Sequence, residues 1–222
     1  MLNRFFGRNP YDSAARSLYE AAVQQARRDA FYRELEVPDT LDGRFEMICL
    51  HVYLLLTRLK QEPRTPQHEG AAQKGAAQEL AQTLFDTLFT DMDESLREMG
   101  AGDTGVGPRV KKMGKAFYGR MAAYDAALAG EGESMSEALR RNVYGTVPEV
   151  AAGNPETLSG YLYREQRNLS AQPYSELAKG RVRFGPPPVA GAWHEAGADT
   201  PATQADESPA EHSQVDRSRE IN

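Results

Sequence analysis

Carboxylates are the residues best placed to do chemistry in this chain. In the run DMDESLRE, 91–98, Asp91, Glu94 and Glu98 fall at i, i+3 and i+7 and so share one face of a helix. Carboxylates at that spacing can hold a divalent cation or divide general-acid and general-base work. Metal sites in helical bundles, however, take ligands from facing helices, often with an E-x-x-H element, and this sequence has none. A solvated acidic face that pairs with Arg97 and with the following helix is therefore expected, with no metal and no organic cofactor.

Gly100, Gly102 and Gly105 match G-x-G-x-x-G, with Arg109, Lys111 and Lys112 at the next helix start, as an anion site requires. The motif follows a helix rather than a strand, no βαβ pattern surrounds it, and Asp103 would repel a phosphate within it. A helix C-cap with a tight interhelical loop accounts for it better. Arg109, Lys111, Lys112, Lys115 and Arg120 then form a run of bases with no acid between them. Some can face the acidic helix before them, which leaves Lys112, Lys115 and Arg120 as candidates for an acidic or polyanionic partner. His51 has no Ser, Cys or carboxylate spaced to build a local triad, so a satisfied core or interface histidine is expected. The single cysteine, Cys49, excludes an intrachain disulfide and reads as a buried, inert thiol.

Helices must position these residues. Ala15, Leu18, Tyr19, Ala22, Val23 and Ala26 make one stripe at 3.6 spacing over 12–29. After Pro38 the turn-rich VPDTLDG leads, with Asp42 as the expected N-cap, into a helix at 43–59 that is apolar on nearly every side; from 47 to 56 its one strongly polar residue is His51. It is well short of a bilayer span and must be covered. Leu80, Leu84, Leu88, Met92, Leu96 and Met99 place a further helix at 76–99, stopped by Gly100. A glycine-rich turn with Pro108 precedes a helix at 109–128, buried along Val110, Met113, Phe117, Met121, Tyr124 and Leu128. Shorter helices are expected at 136–144, from 155 with Asn154 as N-cap, and at 174–179, before an extended piece at 182–184. The expected fold is all-α: a single helical domain in which the central apolar helix is wrapped by the helices at 12–29, 76–99 and 109–128.

Three ordered blocks, VPDTLDGRFEMICLHVYLLLTRL (37–59), FDTLFTDMDESLREMGAGDTGVGPRVKKMGKAFYGRMAAYDAAL (85–128) and ALRRNVYG (138–145), resemble the ubiquinol–cytochrome c chaperone family. Its members are helical assembly factors for the respiratory complex that contains cytochrome b, and the resemblance covers 11–184. It implies a non-enzymatic chaperone that binds newly made cytochrome b, or another subunit of ubiquinol–cytochrome c reductase, through an apolar groove with a charged rim. Phe45, Met47, Tyr53, Phe85, Phe89, Met92, Met99 and Phe117 are the flexible or flat apolar candidates for lining such a groove, and Lys112, Lys115 and Arg120 for its rim. A ribosome contact, a peripheral contact at the inner face of the cytoplasmic membrane and a homo-oligomer are further partner candidates. The first residues lack a long Arg- and Ser-rich amphipathic stretch, so a bacterial-type, cytoplasmic member is expected. The alternatives are a helical enzyme on a hydrophobic substrate, with Asp91, Asp93 and Glu94 around a metal, and a ribosome- or RNA-binding module using 109–120.

Charge does not point to nucleic acid. Of the formal −6, most lies in residues 185–222, which hold seven acids and two bases, while the other 184 residues carry 24 Lys and Arg against 25 Asp and Glu. That last segment opens with PPP at 186–188 and has few sizeable apolar residues, so it is expected to be a disordered acidic tail, and 1–10 a frayed N-terminal segment.

Overall fold

The computed structural model describes residues 9–61, 68–98, 100, 103–147 and 154–189. The described chain runs through α1 (Asp12–Ala26), α2 (Asp29–Arg33), α3 (Leu41–Lys60), α4 (His68–Glu98), α5 (Asp103–Leu128), α6 (Met135–Asn142), α7 (Asn154–Ser170) and α8 (Tyr174–Leu177), and the described residues contain no strand. Met99, Trp193 and the rest of 190–222, together with Leu2, Phe5 and Phe6, lie outside them.

Helix α3 starts earlier than its apolar pattern suggested, because its N-cap is Thr40 and not Asp42. The Thr40 hydroxyl accepts from the Gly43 N–H at 3.1 Å, and Asp42 falls in the first turn, where a negative charge suits the helix dipole. Gly43 is required there, since a Cβ would stand 2.0 Å from the Pro38 carbonyl oxygen. From Met47 to Leu59 every residue except Ile48 is buried. At the far end Arg58, itself buried, donates to the carbonyls of Leu169 (2.9 Å) and Gln172 (2.8 Å), and so closes the C-terminus of α7 with a cation.

The cover over α3 differs from the expected wrap. It packs directly on α1, α4 and α7, whereas α5 packs on α4 and α6. Buried Thr157, Ser159 and Gly160 keep α7 slim and allow its close approach. Helix α5 instead reaches α3 by long side chains: the Tyr53 and Tyr124 rings lie 5.3 Å apart, and the Tyr53 hydroxyl donates to Asp125 at 2.9 Å. Helix α5 also starts at Asp103, so Gly105, Gly107 and Pro108 lie inside it rather than in a turn. Pro108, one turn past the start, forgoes one intrahelical hydrogen bond. Gly100, at φ +81°, sits in the left-handed region that ends α4.

After Gly180 the chain runs extended across α1 and α7 as a strap that continues past Phe184. The Arg183 N–H donates to Gln172 (3.0 Å) and its carbonyl accepts from the same amide (2.7 Å). The Gly185 N–H donates to the buried Glu165 carboxylate at 2.8 Å, and the Gly185 carbonyl accepts from Gln25 at 2.8 Å. Beneath the strap lies His51, fully buried, with the Phe184 ring 5.4 Å away. Its Nδ1 faces the Met47 carbonyl at 2.7 Å, an acceptor only, so Nδ1 carries the proton and Nε2 accepts from the Tyr161 hydroxyl at 2.8 Å. The Tyr161 oxygen in turn accepts from Gln25 at 3.0 Å. The histidine is a satisfied core residue.

The strap and the histidine beneath it each have a measurable consequence. A chain ending at Phe184 loses both Gly185 bonds, one of them to a buried carboxylate, and is expected to be less stable than a chain ending at Val189 by about 2 kcal/mol in denaturant titrations. Burial also holds the His51 imidazole down to about 4 from an ordinary 6.5. The folded form therefore takes its proton later than the unfolded form does. The stability from neutral His51 is complete above pH 6.5 and is lost as pH falls from there to about 4, amounting to about 3 kcal/mol. Melting curves of the parent should show that decline, and those of His51→Gln a shallower one.

Candidate functional site

Because α5 stands one layer out from α3, the two helices part toward their N-terminal ends and a cleft opens between them, bounded by the second half of α4 and the end of α6. Its volume is about 680 Å³. The floor is apolar: Phe45 and Ile48 from α3, Leu88, Met92 and Leu96 from α4, Met113 from α5. Phe45, Ile48, Leu96 and Met113 are only half-buried, since the surface they would pack on is the cleft itself. Leu41, 62% exposed, stands at the mouth.

The rim carries six cations, Arg27, Arg44, Arg109, Lys112, Arg120 and Arg141, against Asp42, Glu46 and Asp91. Arg120 forks onto Glu46 through Nε and a terminal nitrogen, with the Nε contact at 2.5 Å. Burial pushes the Glu46 carboxyl above its ordinary range, against the opposing pull of Arg120 beside it. The Tyr19 hydroxyl donates to Asp91 at 2.7 Å, and burial together with that bond drives the phenol far up. These two contacts tie α5 to α3 and α4 to α1 at the cleft walls. Arg44 pairs with Asp39 and Arg141 with Glu133, both on the surface at 2.5 Å. Among the described residues Arg27, Arg109 and Lys112 make no ion pair.

The residues singled out from the sequence are divided by this geometry. Phe45, Met92, Lys112 and Arg120 line the cleft. Met47, Tyr53 and Phe117 are core side chains with almost no accessible surface. Phe85, Phe89, Phe117 and Tyr118, the last 59% exposed, form one cluster of tilted and edge-on rings along α4 and α5, with centroid distances of 4.5 to 6.4 Å between neighbours. Lys115 is exposed and outside the cleft lining. Helical stripes identified the apolar residues without telling which of them face a second helix and which face an opening. Arg27, Arg44 and Arg141 were not anticipated, because α1, the α3 start and α6 meet only in three dimensions.

The acidic run does not converge. Asp91 turns to Tyr19 and Asp93 pairs with Arg97 at 2.7 Å. Arg120, put forward from the sequence as a contact for an acidic or polyanionic partner, binds Glu46 on α3 inside the fold. Among the described residues no group of three or more His, Cys, Asp or Glu is placed to hold a metal, and no helix is long and apolar enough to cross a membrane. Burial pushes the Cys49 thiol well up, which keeps it unreactive.

Removing Arg120 leaves a buried carboxylate without its counter-charge. Arg120→Gln is expected to lower stability by about 3 kcal/mol, with partial recovery in Glu46→Gln/Arg120→Gln, while Lys112→Gln changes it by less than about 0.5 kcal/mol. Denaturant melts of the four chains check this.

Comparison with known proteins gives this architecture relatives. A family model described as Ubiquinol-cytochrome C chaperone matches residues 33–184. Ubiquinol-cytochrome c reductase complex assembly factor 1 of Mus musculus is 24% identical over 174 residues, which cover 78% of this chain and 55% of that protein. Protein CBP3, mitochondrial, of Saccharomyces cerevisiae is 26% identical over 161 residues, covering 72% of this chain and 45% of that one. The chain spans about half the length of the curated relatives it matches. The crystal structure of the Cbp3 homolog from Brucella abortus superposes with a TM-score of 0.65 at 34% identity, covering 80% of this chain and 91% of that chain. With a family model matched over most of its length and a solved relative that shares its helices, this chain belongs to the ubiquinol–cytochrome c chaperone family.

Proposed function

We propose that the chain is a non-enzymatic assembly chaperone for ubiquinol–cytochrome c reductase, and that it holds newly made cytochrome b by seating part of an apolar segment in the cleft between α3, α4, α5 and α6. The observation that carries this reading is the half-buried apolar floor. Phe45, Ile48, Leu96 and Met113 face one opening of about 680 Å³ with a cationic rim. An apolar centre with a polar rim is the anatomy of a protein-binding surface. Family membership supplies the client class, a subunit of the respiratory complex. The work asked of the site is cover for apolar surface until partners arrive, which needs burial and reversibility rather than an acid, a base or a nucleophile. Lys111 and Lys115 are exposed outside the cleft lining, so a ribosome or membrane contact would draw on a different face.

A photo-crosslinking residue placed at Leu96 is expected to yield an adduct with newly made cytochrome b in membranes from the native host, and the same probe at Lys115 is expected to yield little. Adducts from Lys115 alone would overturn the placement of the client in the cleft. No cytochrome b adduct from any position would overturn the client.

A further inference from the structure

The charge around the cleft is not balanced. Of its carboxylates, Glu46 is neutralised by Arg120, whereas Asp91 accepts from the neutral Tyr19 hydroxyl and keeps its charge. Arg27, at the end of α1, and Arg109 and Lys112, on α5, make no ion pair among the described residues, and the two carboxylates Asp42 and Asp91 stand against these three cations, which leaves an excess of positive charge. These cations sit on two separate elements that border one apolar floor, so their field is directed at whatever fills it. The volume suits a few side chains. A helix about 10 Å across would not sink into about 680 Å³, but one of its faces would, with apolar side chains at i, i+3 or i+4 and i+7 reaching Ile48, Met92 and Met113.

Building on the reading of the cleft as the client site, we propose that its ligand class is an apolar helical segment flanked by acidic side chains, whose carboxylates meet Arg27, Arg109 and Lys112. A segment with basic flanks would bring like charges together at the mouth and be turned away, so the rim sets which apolar segment, and which end of it, is taken. The three cations are available for this because no internal ion pair among the described residues depends on them. Arg120 is not, since it is committed to Glu46.

The test uses the full chain and two fluorescent synthetic amphipathic peptides with the same leucine-rich face, one flanked by glutamates and one by lysines, followed by anisotropy. The acidic peptide is expected to bind roughly tenfold more tightly at low ionic strength, an advantage that shrinks as salt is added. In Arg27→Gln/Arg109→Gln/Lys112→Gln the two peptides should bind nearly alike, with an unchanged melting temperature. Equal binding of both peptides to the parent chain overturns the charge selection and leaves the cleft reading standing. Failure of both peptides to bind overturns both readings, and tighter binding of the lysine-flanked peptide overturns the charge selection. A preference that persists in the triple variant removes these cations from the site, and a preference in the parent that does not change with salt overturns the charge selection without any variant.

Discussion

Everything in this fold answers to α3, a helix with no polar face. From Met47 to Leu59 its residues are buried on all sides save Ile48, and no single neighbour can cover such a cylinder. Helices α1, α4 and α7 each take a side, and the polar groups that α3 carries must be satisfied inside that wrap. His51 and Arg58 are so satisfied, one through Met47 and Tyr161, the other on the carbonyls that end α7. The bonds to Tyr161, Leu169 and Gln172 draw a segment distant in sequence onto the central helix. The strap at 181–189 completes the cover, because without it the network of Gln25, Tyr161 and His51 would face water on the side where Phe184 now lies.

The same constraint produces the cleft. Three slim or well-matched helices leave α5 in an outer layer, joined to α3 through Tyr53, Tyr124 and Asp125 at one end and through Arg120 and Glu46 further along. Beyond that last contact the helices stand apart around the wedge that forms the cleft. A buried pair such as Arg120 with Glu46 offers little net stability over an apolar contact of the same size, yet it fixes where the wall stands, and a groove needs that fixed wall. Burial, which destabilises the Glu46 charge, is only partly offset by the one arginine beside it.

Much of the architecture was legible from periodicity. Every stripe that placed apolar residues three or four apart became a helix, and Leu18, Leu80, Leu84, Leu88 and Phe117 are buried where such stripes put them. Helix starts were less legible: Thr40 takes the cap because its hydroxyl reaches the third N–H, and Asp42, equally good by composition, is two residues too late. The site was half legible. Periodicity marks which residues of a helix are apolar but carries no information on whether the apolar face meets another helix, as for Met47, or a gap, as for Met113 beside the cleft. The partners of the basic helix were beyond reach for the same reason, since Glu46 and Arg120 are 74 residues apart and nothing local joins them.

The rim shows how one kind of charge can take two roles around a single cleft. A cation that is bonded inside, such as Arg120, cannot also answer to a partner without leaving Glu46 bare. A cation that is solvated, such as Lys112, contributes almost nothing to the fold and is for that reason free to answer. A chaperone surface needs both kinds. On the proposed reading of the cleft, the bonded charges fix the walls around its apolar floor, and the solvated ones would give a surface that otherwise accepts any apolar segment a means of choosing, at a strength that long-range screening lets go again.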